Sequence, residues 1–174
     1  MKYFVKFFVI TFCIIVSTHA FAEQKIVMVD MTYVLNQSKA GQGAQDFLKK
    51  KFESSQKKFA DKEKDLKKEE SDLLGKKNII TKEEYKKSTD NLRKKVLEYQ
   101  SERRKVLDEI AKQRATARKQ LLDKINPIIA DYLKENNISI VIDKKIVFIA
   151  ESSVDITNTV IDKLNSELPS LSLK

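Results

Sequence analysis

The feature that most restricts the fold is a long charged stretch, residues 86 to 120, which contains neither glycine nor proline. Such a stretch favours a helix, but its apolar side chains are too sparse for the core of a globular domain. Residues 44 to 74 are similarly charged and sparse in apolar side chains. A helix with one narrow apolar line is stable when a partner helix buries that line, so we expect the two stretches to pair.

Two apolar lines of matching width predict an antiparallel helical hairpin. Their members recur mostly at steps of seven and four residues: Leu48, Phe52, Phe59, Leu66 and Leu73 in the first helix, and Tyr85, Leu92, Val96, Tyr99, Val106 and Ile110 in the second. Gly75 is placed to end the first helix, and Thr81 with Glu84 matches a capping box that begins the second. Pairing of residues 44–74 with about 82–112 gives an arm roughly 45 Å long. The aromatic residues of the arm are expected to fill these lines rather than face a partner: Phe47, Phe52, Phe59, Tyr85 and Tyr99.

The N-terminus has the pattern of a secretory signal peptide. Lys2 and Lys6 precede a short apolar run, residues 7 to 16, and Ala20 and Ala22 fit the small-x-small cleavage rule. The run is too short for a membrane-spanning helix, which needs roughly 20 apolar residues. We therefore expect cleavage after Ala22 and a mature protein that acts outside the cytoplasm.

Removal of that segment excludes several kinds of site. The only cysteine, Cys13, and the only histidine, His19, lie within it, so the mature chain lacks the groups for a disulfide, a cysteine or histidine metal site, or Ser-His or Cys-His catalysis. Residues 41–46 carry two glycines of a dinucleotide fingerprint but have Asp46 in place of the third. Neighbouring carboxylates such as Glu83-Glu84 lie on solvated helices without a cleft for acid–base chemistry. No enzyme activity, metal or cofactor is expected.

The segments that flank the arm predict a small body, residues 23–43 and 126–174, and hence an α+β fold. Residues 25–30 favour one strand, residues 138–150 favour two more, and Asp155 is placed to cap a closing helix. The predicted core of this body consists of Ile26, Val27, Val29, Ile140, Ile142, Phe148 and Val160.

The predicted body is smaller than the arm that it has to support. Pro127 marks the junction, where it either kinks the second arm helix or takes the first position of a new helix. A core of this size rarely stabilises itself and also anchors a longer limb, and its sheet would keep open edges. We therefore expect the bodies of several copies to associate, with the arms pointing away from them.

Charge is segregated along the chain. Residues 49–124 hold 25 basic and 15 acidic residues, whereas the rest of the mature chain holds 7 and 10. A basic limb of this kind attracts anionic partners. Nucleic acid suits the charge but not an exported protein, which leaves anionic lipid headgroups or acidic polypeptides. The candidate contact residues are Lys49, Lys50, Lys57, Lys58, Lys67, Lys68, Lys86, Lys87, Arg93, Lys94, Arg103, Arg104 and Lys105.

The chain resembles the Skp (OmpH-like) periplasmic chaperones of Gram-negative bacteria. The likeness covers essentially the whole mature chain, and its most specific parts are "KIVMVDMTYVLNQSKAGQGAQ" from residue 25 and "ISIVIDKKIVFIAESSVDIT" from residue 138. The resemblance implies a homotrimer whose β-rich bodies associate, with three helical hairpins around a central cavity. It also implies ATP-independent capture of unfolded outer-membrane proteins in the periplasm.

Two functions remain open from the sequence. The first is a holdase, a chaperone that binds unfolded barrel proteins without an energy source. The second is a structural or lipid-associating envelope protein whose arms lie on anionic membrane surfaces. For the lipopolysaccharide binding that the resemblance implies for some members, Arg103, Arg104 and Lys105 are candidates by charge alone.

Overall fold

The protein has an α+β fold in which two long helices dominate a small sheet. The computed structural model describes residues 25–173, so the predicted signal peptide, with Cys13 and His19, lies outside the described residues. The elements in chain order are β1 (Lys25–Val29), α1 (Met31–Gln37), α2 (Lys39–Gly75), α3 (Lys82–Glu135), β2 (Ile138–Asp143) and α4 (Thr157–Glu167), with short 3-10 turns at Lys144–Ile146 and Ser152–Val154.

Helices α2 and α3 form the predicted antiparallel hairpin, which we call the arm. At 37 and 54 residues, they are about 55 and 80 Å long. The signals at the tip of the arm are confirmed, since α2 ends at Gly75 and Thr81 caps α3. The Thr81 hydroxyl accepts a hydrogen bond from the Glu84 amide at 3.2 Å, and the Glu84 carboxylate accepts one from the Thr81 amide at 3.1 Å. This capping box fixes where the chain turns back.

Helix α2 begins earlier than the sequence predicted, at Lys39 rather than near residue 44. The buried Ser38 hydroxyl accepts a hydrogen bond from the Gly41 amide at 3.2 Å and caps the helix at that point. Gly41 also approaches the preceding helix closely, because a Cβ placed on it would lie 1.9 Å from the carbonyl oxygen of Leu35. The tight junction between α1 and α2 therefore depends on the absence of a side chain at this position.

Gly41→Ala should destabilise the protein by about 1–3 kcal/mol, because the added methyl group forces the backbone of α1 or α2 to move. Gly43 is the matched control: it lies in the same turn of α2 with open space where its Cβ would be. Gly43→Ala should instead stabilise the helix by about 0.5–1 kcal/mol. Urea unfolding of both variants measures the two changes, and equal effects at the two positions would contradict the close approach.

Helix α3 continues through Pro127 to Glu135, so the alternative in which Pro127 starts a new helix is wrong. A proline inside a helix removes one backbone hydrogen bond and crowds the preceding turn. Here Ile125, Ile128 and Ile129 are buried around it. These residues hold the parts of α3 before and after Pro127 against the same core. This packing outweighs the tendency of proline to end the helix.

The sheet consists of β1 and β2, which pair in parallel with Val27 opposite Val141 and Met28 opposite Ile142. Parallel strands need a long crossover connection, and here that connection is α1 together with the whole arm. The other edge of β1 is covered locally, since the Ile156 amide donates a hydrogen bond to the Met28 carbonyl at 2.9 Å. Both arm helices therefore join the same small unit, β1, β2, α1 and α4, which we call the platform.

The prediction of a second strand after the arm, at residues 146–150, is wrong. The Asp143 carboxylate accepts a hydrogen bond from the Lys145 amide at 3.0 Å and starts the 3-10 turn Lys144–Ile146 in place of a hairpin. Residues 147–150 form neither helix nor strand. The outer edge of β2 is therefore left without a partner strand within residues 25–173, because the chain turns at Lys144–Ile146 and does not form the hairpin that would pair with it.

The core lies where β1, α1, α4 and the base of the arm meet. Its fully buried apolar residues include Val34, Ile125, Val160 and Leu164. Of the residues predicted for the core, Val27, Val29 and Val160 lie in this cluster and Ile142 is half-buried.

The remaining predicted core residues are not buried by the single chain. Ile26 and Ile140 are 46% and 44% exposed, and Phe148 is fully exposed. Ile26 lies directly opposite Ile140 near the start of the parallel pairing, where the single chain leaves both side chains uncovered. Phe148 belongs to the irregular segment after β2 and has no element packed on it. Ile26, Ile140 and Phe148 were predicted to lie in the core, but this chain leaves them on its surface.

An ion pair ties the end of β2 to the start of α4. The Lys144 ammonium lies 2.6 Å from the Asp155 carboxylate, whose other oxygen accepts a hydrogen bond from the Thr157 amide at 2.9 Å. The Thr157 hydroxyl in turn accepts a hydrogen bond from the Asp30 amide at 2.9 Å. The prediction that Asp155 caps α4 is wrong, since the N-cap is Ile156; Asp155 lies one residue earlier and accepts its hydrogen bond from the first residue of the helix.

Asp155→Asn should lower stability at neutral pH, and its effect should vanish in acid. Burial raises the pKa of Asp155, whereas the hydrogen bond and charge of Lys144 and the hydrogen bonds from the Thr157 hydroxyl and amide lower it. The lowering is larger than the raising, so the pKa of Asp155 lies below its ordinary value. A carboxyl with a depressed pKa stabilises the fold above its unfolded pKa, about 3.9, and loses that effect as pH falls through the folded pKa. Urea unfolding from pH 7 to pH 3 should therefore show the two proteins converging; a constant difference would contradict this role.

Candidate functional site

The arm is held together by ion pairs along its edges and by one apolar line between its helices. Three ion pairs join α2 to α3: Lys51 with Glu109 at 2.7 Å, Lys62 with Glu102 at 2.5 Å, and Glu69 with Lys95 at 2.6 Å. Their side chains are largely exposed, so each pair contributes little to stability. All three pairs fit one antiparallel alignment of α2 and α3, so they favour that register between the two helices.

The middle of the arm is packed around one aromatic pair. Phe59 is buried and meets Tyr99 edge-to-face, with ring centroids 5.9 Å apart. The Tyr99 hydroxyl donates a hydrogen bond to the Glu63 carboxylate at 3.3 Å, and the Lys67 ammonium lies 2.8 Å from the same carboxylate. The hydrogen bond and charge of Lys67, with help from Tyr99, hold the pKa of Glu63 below its ordinary value. Leu48, Leu92 and Ile110 are the other buried large apolar residues of the predicted lines.

Two aromatic residues predicted for these lines lie outside them. Phe47 and Phe52 are 38% and 39% exposed, whereas Tyr85 and Tyr99 are half-buried. Both exposed rings lie near the start of α2, close to the root of the arm. The expectation that the arm aromatics are used up by helix packing is therefore wrong for these two, and they remain available to a partner.

All thirteen predicted contact cations are exposed. Three of them pair with an acid on their own helix: Lys49 with Glu53 at 4.0 Å, Lys67 with Glu63 at 2.8 Å, and Arg93 with Asp90 at 3.9 Å. Within residues 25–173 the others make no ion pair. The structure spreads these cations along both helices rather than gathering them into one pocket, so the arm is a long cationic surface without a defined anion site.

A groove of about 740 Å³ lies at the root of the arm, and we call it the root groove. Its floor is apolar and includes Leu35, Leu48, Phe52, Ala117 and Leu121, and its basic residues are Lys49, Arg114 and Arg118. Of its three basic residues only Lys49 is among the predicted contact cations, and the sequence did not predict the groove. It forms only because α1 packs beside the two arm helices, and no local pattern shows that arrangement.

Other apolar side chains are exposed at the two ends of the molecule. At the sheet end they are Ile26, Ile140, Ile146, Phe148 and Ile149, which we call the sheet-end apolar set. At the tip of the arm, Leu74 is 59% and Ile79 is 79% exposed, beside Lys76 and Lys77. Large apolar side chains exposed in this number are typical of interaction surfaces.

Among residues 25–173, no helix is long and apolar enough to cross a membrane. The same part of the chain has no group of histidine, cysteine or carboxylate side chains arranged to hold a metal ion. The surface features described above are the cationic arm, the root groove and the exposed apolar residues at both ends.

Comparison with known proteins gives a consistent result. The model of the family described as outer membrane protein (OmpH-like) matches residues 25–164. A Skp-like protein of Pseudomonas aeruginosa is 24% identical over 165 residues, which cover 95% of this chain and 98% of that one. The crystal structure of an OmpH-like protein of Caulobacter crescentus CB15, described as an outer membrane chaperone, superimposes with a TM-score of 0.79 at 19% identity, covering 90% of this chain and 92% of that one.

Proposed function

The chain belongs to the OmpH-like family, and we propose that its secreted form is an ATP-independent chaperone of the periplasm. Its clients are unfolded outer-membrane β-barrel proteins, which it holds until they are inserted. The observation that carries this proposal is the arm itself, a long hairpin that buries one thin apolar line and leaves its cations exposed and mostly unpaired.

The physical chemistry of such clients suits this surface. A barrel strand alternates apolar and polar residues, and its unpaired edges aggregate in water. Long lysine and arginine side chains without fixed partners can pair with acidic groups of a client in many registers, while their aliphatic stems cover apolar surface. Binding of this kind is weak at each contact and needs no energy source for release.

We further propose that three copies associate through the sheet end, with residues 23–43 and 126–174 as the body and the signal peptide removed after Ala22. The support is the sheet-end apolar set, which a single chain leaves in water. Association there would bury these side chains and cover the open edge of β2. The arms would then project together and enclose a cavity with basic walls.

Aggregation assays test the holdase activity directly. The mature protein should suppress aggregation of a denatured outer-membrane barrel at a near-stoichiometric ratio of trimer to client, without ATP. Suppression should weaken as salt rises from about 0.05 to 0.5 M, because screening shortens the reach of exposed charges. An ATP requirement, or no suppression at low salt, would contradict the proposal.

The second candidate function is association with anionic membranes, and the tip of the arm favours it. Leu74 and Ile79 are exposed there beside Lys76 and Lys77, a combination that suits an anionic lipid surface. Lipopolysaccharide would be one such surface, with Arg103, Arg104 and Lys105 as further contacts. Flotation with vesicles that contain lipopolysaccharide separates the two functions: salt-sensitive flotation without aggregation suppression favours membrane association.

A further inference from the structure

The root groove combines an apolar floor with an excess of positive charge. Leu48 and Leu121 are buried in its floor, while Phe52 keeps 39% of its surface exposed. Among its lining residues, Asp46 is the only acid against the three cations. The groove therefore offers an apolar ring to a ligand and carries a net positive charge around it.

Two of these cations are placed unfavourably unless an anion is present. Arg114 and Arg118 lie four residues apart on α3, and like charges at this spacing destabilise a helix. Neither guanidinium group makes an ion pair or hydrogen bond within residues 25–173, whereas the Lys49 ammonium has the Glu53 carboxylate at 4.0 Å. An arginine pair of this kind is suited to a carboxylate, which a guanidinium binds through two parallel hydrogen bonds.

We propose that the root groove binds a short extended segment of unfolded polypeptide, in which an apolar side chain lies next to an acidic residue. The apolar side chain packs on Phe52 and Leu48, and the carboxylate pairs with Arg114 or Arg118. This inference rests on the proposed function, because it supplies one defined client contact on an otherwise diffuse cationic surface.

The polar wall of the groove favours a peptide over a lipid chain. Asn36 and Gln45 lie opposite each other on α1 and α2, and the Gln45 amide donates a hydrogen bond to Asn36 at 2.9 Å. Side-chain amides can also donate to and accept from a peptide backbone, which an acyl chain cannot use. A lipid tail would leave these amides without a ligand partner. A peptide with alternating side chains could form hydrogen bonds to the amides of the wall and place an apolar side chain on the floor.

The absence of tryptophan from the chain provides a local probe. Phe52→Trp places the single tryptophan of the chain in the root groove, and Leu97→Trp places it at an exposed apolar position in the middle of the arm. An eight-residue peptide of alternating leucine and glutamate should shift the emission of the first variant and not of the second. Peptides of leucine with lysine, and of serine with glutamate, should bind at least about tenfold more weakly, because each lacks one of the two contacts.

Charge variants in the unlabelled protein complete the test by calorimetry with the leucine–glutamate peptide. Arg114→Gln with Arg118→Gln should weaken binding about tenfold or more, the loss expected for one charge-assisted contact. Arg103→Gln with Arg104→Gln removes the same charge from the middle of the arm and should change affinity less than about twofold. The far-UV circular dichroism of both double variants should match that of the unsubstituted protein, since all four side chains are exposed.

Each contrary result identifies a different error. Equal weakening by both double variants would show that only total charge matters, and tight binding of dodecanoate without peptide binding would show a lipid site. A change in oligomer mass in the Arg114 and Arg118 variant would show that the groove is covered by another copy. Any of these overturns the inference. The proposed function is judged separately, by whether the unsubstituted protein suppresses client aggregation.

Discussion

Phe148→Asp should convert the oligomer into monomers and remove most of the aggregation suppression. Phe148 is fully exposed in the single chain, so the substitution does not disturb the fold of that chain. In the proposed trimer it would bury an unpaired carboxylate at the sheet end, once for each copy. The association should weaken by at least about a hundredfold, which corresponds to roughly 3 kcal/mol. Sedimentation equilibrium over a range of protein concentrations measures this change.

The matched control is Leu97→Asp, which introduces the same charge at an exposed apolar residue of the arm. It should leave the oligomer mass unchanged, because it lies far along α3 from the sheet end. Far-UV circular dichroism should be the same for both variants. A Phe148→Asp protein that keeps its oligomeric mass would contradict association through the sheet end.

Phe59→Ala should loosen the outer half of the arm without affecting the core. Phe59 is a buried aromatic ring in the middle of the arm, and Tyr99 packs against it at 5.9 Å between centroids. Truncating a buried phenylalanine costs about 3–5 kcal/mol. Few other apolar contacts hold this region, so local opening should become at least about a hundredfold more frequent. Amide hydrogen exchange, resolved by peptide, measures it between residues 59 and 99.

Exchange in α4 and around Ile125 should remain at its original rate, because these residues belong to the separate core cluster. Leu97→Ala is the control within the arm, since Leu97 is 60% exposed and its loss removes little packing. If Phe59→Ala raised exchange equally throughout the molecule, the arm and the core would unfold as one unit. That result would contradict an arm that can bend around clients while its platform stays folded.

The arm could be predicted from the sequence because local signals specify it. The capping box at Thr81 and Glu84 fixes the turn, and the spacing of Phe59, Leu92 and Ile110 gives the buried line. These signals act over a few residues, so the sequence carries them without knowledge of the rest of the fold. The exposed positions of the arm cations followed from the same periodicity.

The structure of the platform could be predicted less completely than that of the arm, because contacts between distant parts of the chain determine it. Pro127 remains inside α3 because buried isoleucines pack on both sides of it in the chain. Residues 146–150 form no strand because Lys144 pairs with Asp155 and the chain takes a 3-10 turn in place of a hairpin. The root groove depends on where α1 packs against the arm, and only the folded chain shows that position. The alternating pattern of Ile146 and Phe148 predicted burial, but the single chain leaves both side chains exposed.

The most direct test of the account is the mass of the complex that the mature protein forms with one unfolded outer-membrane barrel, measured by native mass spectrometry. We expect three copies of this chain and one client, with the same three copies present before the client is added. A complex of one chain with one client, or a protein that remains a monomer and forms no complex, would contradict a cage of arms on a shared platform.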